Sequence, residues 1–255
     1  MDCQKTEDRI IEFVRRKAVE SGANGVVIGL SGGIDSSLTA KICAEALGRD
    51  RVLGLLMPSD KSQDADDATE FAKSIGIAYK IVDISDTVSV LRENLDSAQD
   101  KIVLGNMLPR LRMLVLYYYA NMMKRLVVGT GNKSEILTGY FTKYGDGACD
   151  LLPIGDLYKT EVIELAEFMS LPEKIIQKRP TPGLWEGQIA EEELGISYDE
   201  LDKILYRLFE LKESQKKISE KTGITAEKIG KIRERCEGNE HKLKTPEICK
   251  IGSQF

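Results

Sequence analysis

The sequence predicts an α/β protein with a doubly wound, mostly parallel sheet carrying helices on both faces, followed by a helical C-terminal region. The first observation is short apolar runs alternating with stretches whose apolar residues recur at helical spacing, in the order βαβαβ over the first third of the chain. The second is a glycine-rich turn, Ser31-Gly32-Gly33, placed where a strand hands over to a helix. The third is that the last strand read is Leu126-Val127-Val128, and the rest of the chain from Tyr198 to Cys236 is helical with polar interruptions.

Taken in order, Ile10, Ile11, Phe13, Val14, Ala18 and Val19 predict a leading helix from about Gln4 to Ser21, stopped before Gly22. Gly25 to Ile28 is the first strand, and Leu38 to Leu47 continues as the helix after the turn. Val52 to Met57 is a second buried strand ended by Pro58, and acidic, cap-rich residues from Asp64 open a helix through Ile75. A third strand lies near Tyr79 to Asp83. A longer helix from about Asn106 to Lys124 tolerates Pro109 in its first turn, where the missing N–H costs nothing, and leads to the strand Leu126-Val127-Val128. Residues 129–159 form a glycine-rich polar loop, longer than a connection needs and therefore of functional interest. Thr160 to Met169 is helical, and Lys178 to Gln188 is a loop punctuated by proline and glycine, with Trp185 packing it. The loops 83–106 and 180–188 have a composition suited to closing over a substrate.

The 255 residues form one domain, 1–255, with a nucleotide-binding core at about 22–170 and a helical part at about 190–240. A formal charge of −5 argues against nucleic acid as the main partner. The polar N-terminus and the lack of any long apolar run speak against a membrane partner. Five cysteines, odd in number and without Cys-x-x-Cys spacing, favour neither a disulfide framework nor a zinc site, which points to a reducing cytoplasm. A single histidine, His241, excludes chemistry that needs two.

The turn is an anion cradle. Unpaired N–H groups and the positive end of the helix dipole face outward there. Gly32 and Gly33 let the backbone approach a phosphate, and Ser31, Ser36 and Ser37 add hydroxyls. Neither the Walker pattern nor Gly-x-Gly-x-x-Gly fits. Asp35 would repel phosphate unless a metal bridged the two, which makes it a Mg²⁺ ligand candidate; it also reads as an ordinary first-turn acid. Taken alone, Glu135 also reads as an N-terminal helix acid, Lys143 as a solvated charge, Arg112 as a surface charge, His241 as an exposed histidine, and Tyr140 and Phe141 as core aromatics.

The stretch Ser-Gly-Gly-Ile-Asp-Ser resembles the PP-loop ATP pyrophosphatases, with their adenine nucleotide alpha-hydrolase-like, Rossmann-like fold. The block Leu137 to Gly147 after Gly129 to Glu135, the block Leu194 to Asp202 and the tail Glu240-His241-Lys242 resemble NAD synthetases, in the same order and over nearly the whole chain. The resemblance implies adenylation of nicotinic acid adenine dinucleotide (deamido-NAD) by ATP, with pyrophosphate leaving, then displacement of AMP by ammonia. It implies that Ser31, Gly32, Gly33, Asp35 and Ser36 hold the pyrophosphate, with Asp35 and Glu135 as Mg²⁺ ligands. Arg112, Thr130, Lys159 and Thr181 fall on ATP positions. Asn106, Tyr140, Lys143, Asp146, Asp150, His241 and Lys242 fall on the dinucleotide side, and catalytic work goes to Asp35, Asp146, Lys159 and Thr181. Departures are Ile34, Tyr140 and Gly131-Asn132-Lys133. The pattern occupies the chain, so ammonia rather than a built-in glutaminase is expected, and a homodimer is implied. The rivals are another PP-loop ligase and a nucleotide sensor. A thiolating member would show paired cysteines, and a sensor has no use for two metal carboxylates.

Overall fold

The computed structural model describes residues 1–59, 64–96, 100–185 and 187–252. Four parallel strands, β1 (Val26–Gly29), β2 (Val52–Leu56), β3 (Ala78–Ile81) and β4 (Leu126–Val128), lie in the order β3-β2-β1-β4. Val26 stands opposite both Val52 and Leu126, and Leu53 opposite Ala78. A parallel bridge from Val128 to Leu151 adds a further segment beside β4. The apolar runs of β1 and β2 are buried because helices cover both faces; β3, at the edge, is largely exposed and carries Tyr79 and Lys80.

The side-chain alternation of β1 sorts the two layers. Val26 and Ile28 pack with Ile10 and Val14 of α1 (Cys3–Glu20), Leu38 and Ile42 of α2 (Ile34–Leu47), Phe71 of α3 (Asp64–Ile75), Val162 and Leu165 of α8 (Lys159–Phe168), and Ile175 of α9 (Glu173–Ile176). Val27 packs on the other face with Val88 of α4 (Ser85–Asn94) and Leu108 and Ala120 of α6 (Met107–Met123). Burying a Val or Leu side chain in this way stabilises by about 1.5–3 kcal/mol each.

A separate apolar cluster holds the C-terminal helices together. It joins Leu194 of α10 (Ala190–Leu194), Leu201, Ile204 and Leu205 of α11 (Tyr198–Leu205), Ile218 of α12 (Gln215–Thr222), and Ile229 and Ile232 of α13 (Ala226–Asn239). Tyr158 joins this cluster from the segment before α8, and Leu137 and Tyr140 pack against it.

Two expectations are corrected. The 129–159 stretch is not loop throughout, because Asn132 caps a short helix, α7 (Lys133–Thr138), that the glycines on either side conceal. The 83–106 stretch contains α4 and α5 (Lys101–Gly105), the latter capped by Asp100, whose side chain accepts from Ile102 N–H; neither is a bare closing loop. Residues 97–99 of that stretch and Glu186 of the 180–188 loop lie outside the described residues. Trp185 packs the second loop down onto the backbone of Gly105.

Candidate active site

Ligands in an open parallel sheet bind beyond the carboxyl ends of the strands, and the predicted residues gather there. After β1 the chain turns through Gly32, whose φ of +75° a side chain would resist, and Gly33 becomes the N-cap of α2. Ser36 Oγ donates to the Gly33 carbonyl at 3.0 Å and lies 3.1 Å from Ser31 Oγ, while Gly33 N–H donates to Ser31 Oγ at 3.3 Å. These hydrogen bonds set the loop's shape and bring Ser31, Gly32, Gly33 and Ser36 into one cradle.

Asp35 sits in the first turn of α2 between two donors. Asn132 Nδ2 reaches Asp35 Oδ1 at 2.9 Å, and the ammonium of Lys159, at the start of α8, is hydrogen-bonded to Asp35 Oδ2. Asn132 also caps α7 reciprocally: its Oδ1 accepts from Glu135 N–H at 3.0 Å, and Glu135 Oε2 accepts from Asn132 N–H at 3.2 Å. One wholly buried amide therefore fixes both carboxylates.

The electrostatics follow from that crowding. Burial, then the charge of Asp35, pushes Glu135 up to about 8, with Asp146 adding to the rise and Lys159 opposing it. Burial works against the Lys159 ammonium, but Asp35 and Glu135 outweigh it and the net shift is upward. Two hard carboxylates that repel each other suit a divalent cation of the Mg²⁺ type, which would relieve the repulsion. Among the described residues no three His, Cys, Asp or Glu side chains converge as a self-sufficient metal site. Phosphate oxygens and water would have to complete the shell, as Mg²⁺ prefers.

Around this corner, Arg112 of α6 donates from Nε to the Met57 carbonyl at the end of β2 at 3.2 Å, and Thr130 follows β4, half-buried. Thr181 is exposed; its hydroxyl accepts from Gly183 N–H at 3.1 Å, and the structure gives it no contact with Asp35 or Lys159. The loop before it does reach the cradle, through Lys178 Nζ, 3.4 Å from the Gly32 carbonyl and 3.2 Å from Asp67 Oδ2.

The dinucleotide-side residues form a stapled loop beside α6. Thr142 donates from Oγ1 to Asn106 Oδ1 at 2.6 Å and from N–H to Asp146 Oδ1 at 2.8 Å. Lys143 Nζ donates to the His241 carbonyl at 2.7 Å, so Lys143 is not merely solvated. Lys242 Nζ donates to the carbonyls of Gly139 (2.7 Å) and Phe141 (3.0 Å), and burial lowers its pKa. Tyr140 OH donates to Glu193 at 2.6 Å. His241 is exposed. Asp150 lies apart from this loop, accepting from Tyr117 OH at 3.2 Å and Val127 N–H at 2.7 Å.

Sequence reasoning missed Asn132 and Lys178. The Asn-x-x-Glu spacing of Asn132 and Glu135 was the available signal for the first, as a capping box. Nothing local marks Lys178, whose contacts span 146 positions to Gly32 and 111 to Asp67.

The chain is similar to known proteins over nearly its whole length. The family pattern described as NAD synthase matches residues 6–246. The chain is 48% identical over 253 residues to the NH(3)-dependent NAD(+) synthetase of Methanosarcina acetivorans, covering 97% of this chain and 98% of that protein. Among solved structures, an NH3-dependent NAD synthetase from Campylobacter jejuni superposes with a TM-score of 0.85 at 35% identity, covering 98% of this chain and all of the other. An NMN synthetase from Francisella tularensis superposes with a TM-score of 0.87 at 31% identity and the same coverage.

Proposed function

This chain belongs to the NAD synthase family, and on that premise we propose that ATP activates the nicotinate carboxylate of deamido-NAD at the corner formed by Asp35, Glu135 and Lys159. The overall reaction is the ammonia-dependent, ATP-consuming ligation that completes NAD biosynthesis. A carboxylate is a poor electrophile, so its oxygen attacks the α-phosphorus of ATP and pyrophosphate leaves. Ammonia then adds to the acyl adenylate, AMP departs, and a proton is lost.

The observation that carries this reading is the pairing of Asp35 with both Asn132 and Lys159 at the mouth of the Gly32-Gly33 turn. The cradle N–H groups and the Lys159 ammonium supply fixed positive potential where charge builds on the leaving pyrophosphate. Arg112, held against the β2 end, and Thr130 border the nucleotide, and Thr181 is carried by the loop that Lys178 ties to the cradle. Mg²⁺, when bound to Asp35 and Glu135, supplies charge neutralisation at the phosphates. Asn106, Tyr140, Lys143, Asp146, Asp150, His241 and Lys242 serve the dinucleotide side. The Asp146 carboxylate, exposed and anchored by Thr142 N–H, orients ammonium or accepts its proton as ammonia is released to attack.

We further propose a homodimer through α6, where Leu114, Tyr118 and Met122, one turn apart, are 63%, 64% and 58% exposed. Among the described residues no helix is long and apolar enough to cross a membrane. We assign the reaction to the cytoplasm, where free thiols such as those of Cys3, Cys43, Cys149, Cys236 and Cys249 persist.

The test is an assay with ATP, Mg²⁺ and either ammonium or glutamine, offering deamido-NAD or nicotinic acid mononucleotide, and following product, AMP and pyrophosphate. NAD⁺ from the dinucleotide with ammonium alone is expected. The likeness to an NMN synthetase makes the mononucleotide the alternative acceptor, and its preferred use would move the substrate assignment while leaving the adenylating corner intact.

A further inference from the structure

We propose that Asp202, in the C-terminal helical region, is a positioning residue for the adenylation corner, acting through Ser134 on Glu135 and Lys159. The inference rests on the reading of Asp35, Glu135 and Lys159 given above.

Helices α7 and α8 each begin at the site, and each must present one side chain accurately: Glu135 in the first turn of α7 and Lys159 at the first position of α8. A helix start carries unpaired N–H groups, and whatever accepts from them fixes where that start sits. For α8, Lys159 N–H donates to Ser134 Oγ at 2.9 Å, and Thr160 N–H donates to Asp202 Oδ2 at 2.9 Å. Ser134 Oγ in turn donates to Asp202 Oδ1 at 2.5 Å. Ser134 is itself in the first turn of α7, next to Glu135. The one carboxylate of Asp202 therefore locks the two helix starts together.

The group is built for that task. Ser134 is wholly buried, and Asp202 is 5% exposed. Asp202 has no salt bridge among the described residues, yet its charge sits at a helix N-terminus, where it is favoured. Its helix is held by Leu201, Ile204 and Leu205 in the C-terminal cluster, so the carboxylate has a rigid mount. Groups that orient direct ligands typically matter 10–100-fold when removed.

The experiment compares full-length wild type with Ser134→Ala, Asp202→Asn and Lys159→Ala. It measures kcat, the KM for deamido-NAD, the Mg²⁺ midpoint, circular dichroism, and the rise in melting temperature caused by Mg²⁺ and ATP without the dinucleotide. Ser134→Ala, which deletes one oxygen, and Asp202→Asn, which keeps the shape but reverses one hydrogen bond, are expected to lower kcat about tenfold or more. Their Mg²⁺ midpoint rises and the stabilisation by Mg²⁺ and ATP shrinks, while the dinucleotide KM stays within about twofold. If both variants keep wild-type kcat, Mg²⁺ midpoint and ATP stabilisation while Lys159→Ala is inactive, the positioning role is overturned and the site reading stands. A kcat loss explained wholly by a smaller folded fraction also overturns it. Wild-type activity in Lys159→Ala would instead remove the site reading, and this inference with it.

Discussion

The side-chain amide of Asn132 donates a hydrogen bond to the carboxylate of Asp35 across 2.9 Å, joining the start of α7 to the start of α2. The same amide caps α7 through its oxygen, so its two ends can be tested apart. Asn132→Asp keeps a capping oxygen but replaces the donor with a third carboxylate facing Asp35. Like-charge repulsion in that buried corner is expected to lower its melting temperature and to cost most adenylation. Asn132→Ala loses the cap as well, at about 1 kcal/mol, or roughly 2–4 °C in melting temperature. Melting curves set beside pyrophosphate release decide the matter; an Asp variant with normal turnover would remove the role assigned to this contact.

Gly139 ends α7 with φ of +64°, and a Cβ there would stand 2.2 Å from the Cβ of Asn239 at the end of α13. No side chain fits without driving α13, and the following His241 and Lys242, away from the stapled loop. Gly139→Ala is expected to cost about 1–3 kcal/mol of stability. Its kinetic signature is a raised KM for deamido-NAD with the KM for ATP little changed. Equal effects on both would mean that the two halves of the site are not separable in this way.

The fold was legible because its signals are local. The strand-turn-helix at Gly25 to Leu47 announces itself in apolar runs and glycines, and β4 falls where the run Leu126 to Val128 places it. Helix α7 was hidden because it is short and flanked by glycines, and only the Asn132 and Glu135 spacing betrays it. The cradle residues and the carboxylate pair could be named from motif and resemblance. Their partners could not: Ser134 meets Asp202 across 68 positions, and no periodicity predicts which buried polar groups a tertiary fold will pair. Thr181 shows the opposite limit, since its motif position is clear while its hydroxyl is engaged with Gly183 N–H.

The exposed stripe of α6 makes the oligomeric state testable. Leu114 and Tyr118 lie on the helix face opposite buried Leu108 and Ala120, so a charge there should not disturb the core. Tyr118→Glu is expected to leave the fold intact and to shift the protein from dimer to monomer in sedimentation velocity. A wild-type protein that is monomeric at micromolar concentration, or a Tyr118→Glu dimer, would rule out this face as the interface.

Acid stability should depend on Glu213, which accepts from Lys221 at 2.6 Å and Arg207 at 2.9 Å and pairs with Lys217 at 3.2 Å. The hydrogen bond from Lys221, helped by those from Arg207 and Lys217, lowers its pKa to about 2 against an ordinary value of 4.5. A depressed carboxyl pKa means that the unfolded chain takes up its proton first as pH falls. The stabilisation is therefore complete above about pH 4.5 and is lost as pH drops towards about 2. Glu213→Gln removes the charge at every pH, so its melting temperature should lie below wild type at neutral pH. The two curves should then converge between about pH 4.5 and 2, because the wild type loses there what the variant never had. Parallel curves over that window would show that the three cations do not act on the fold through this carboxylate.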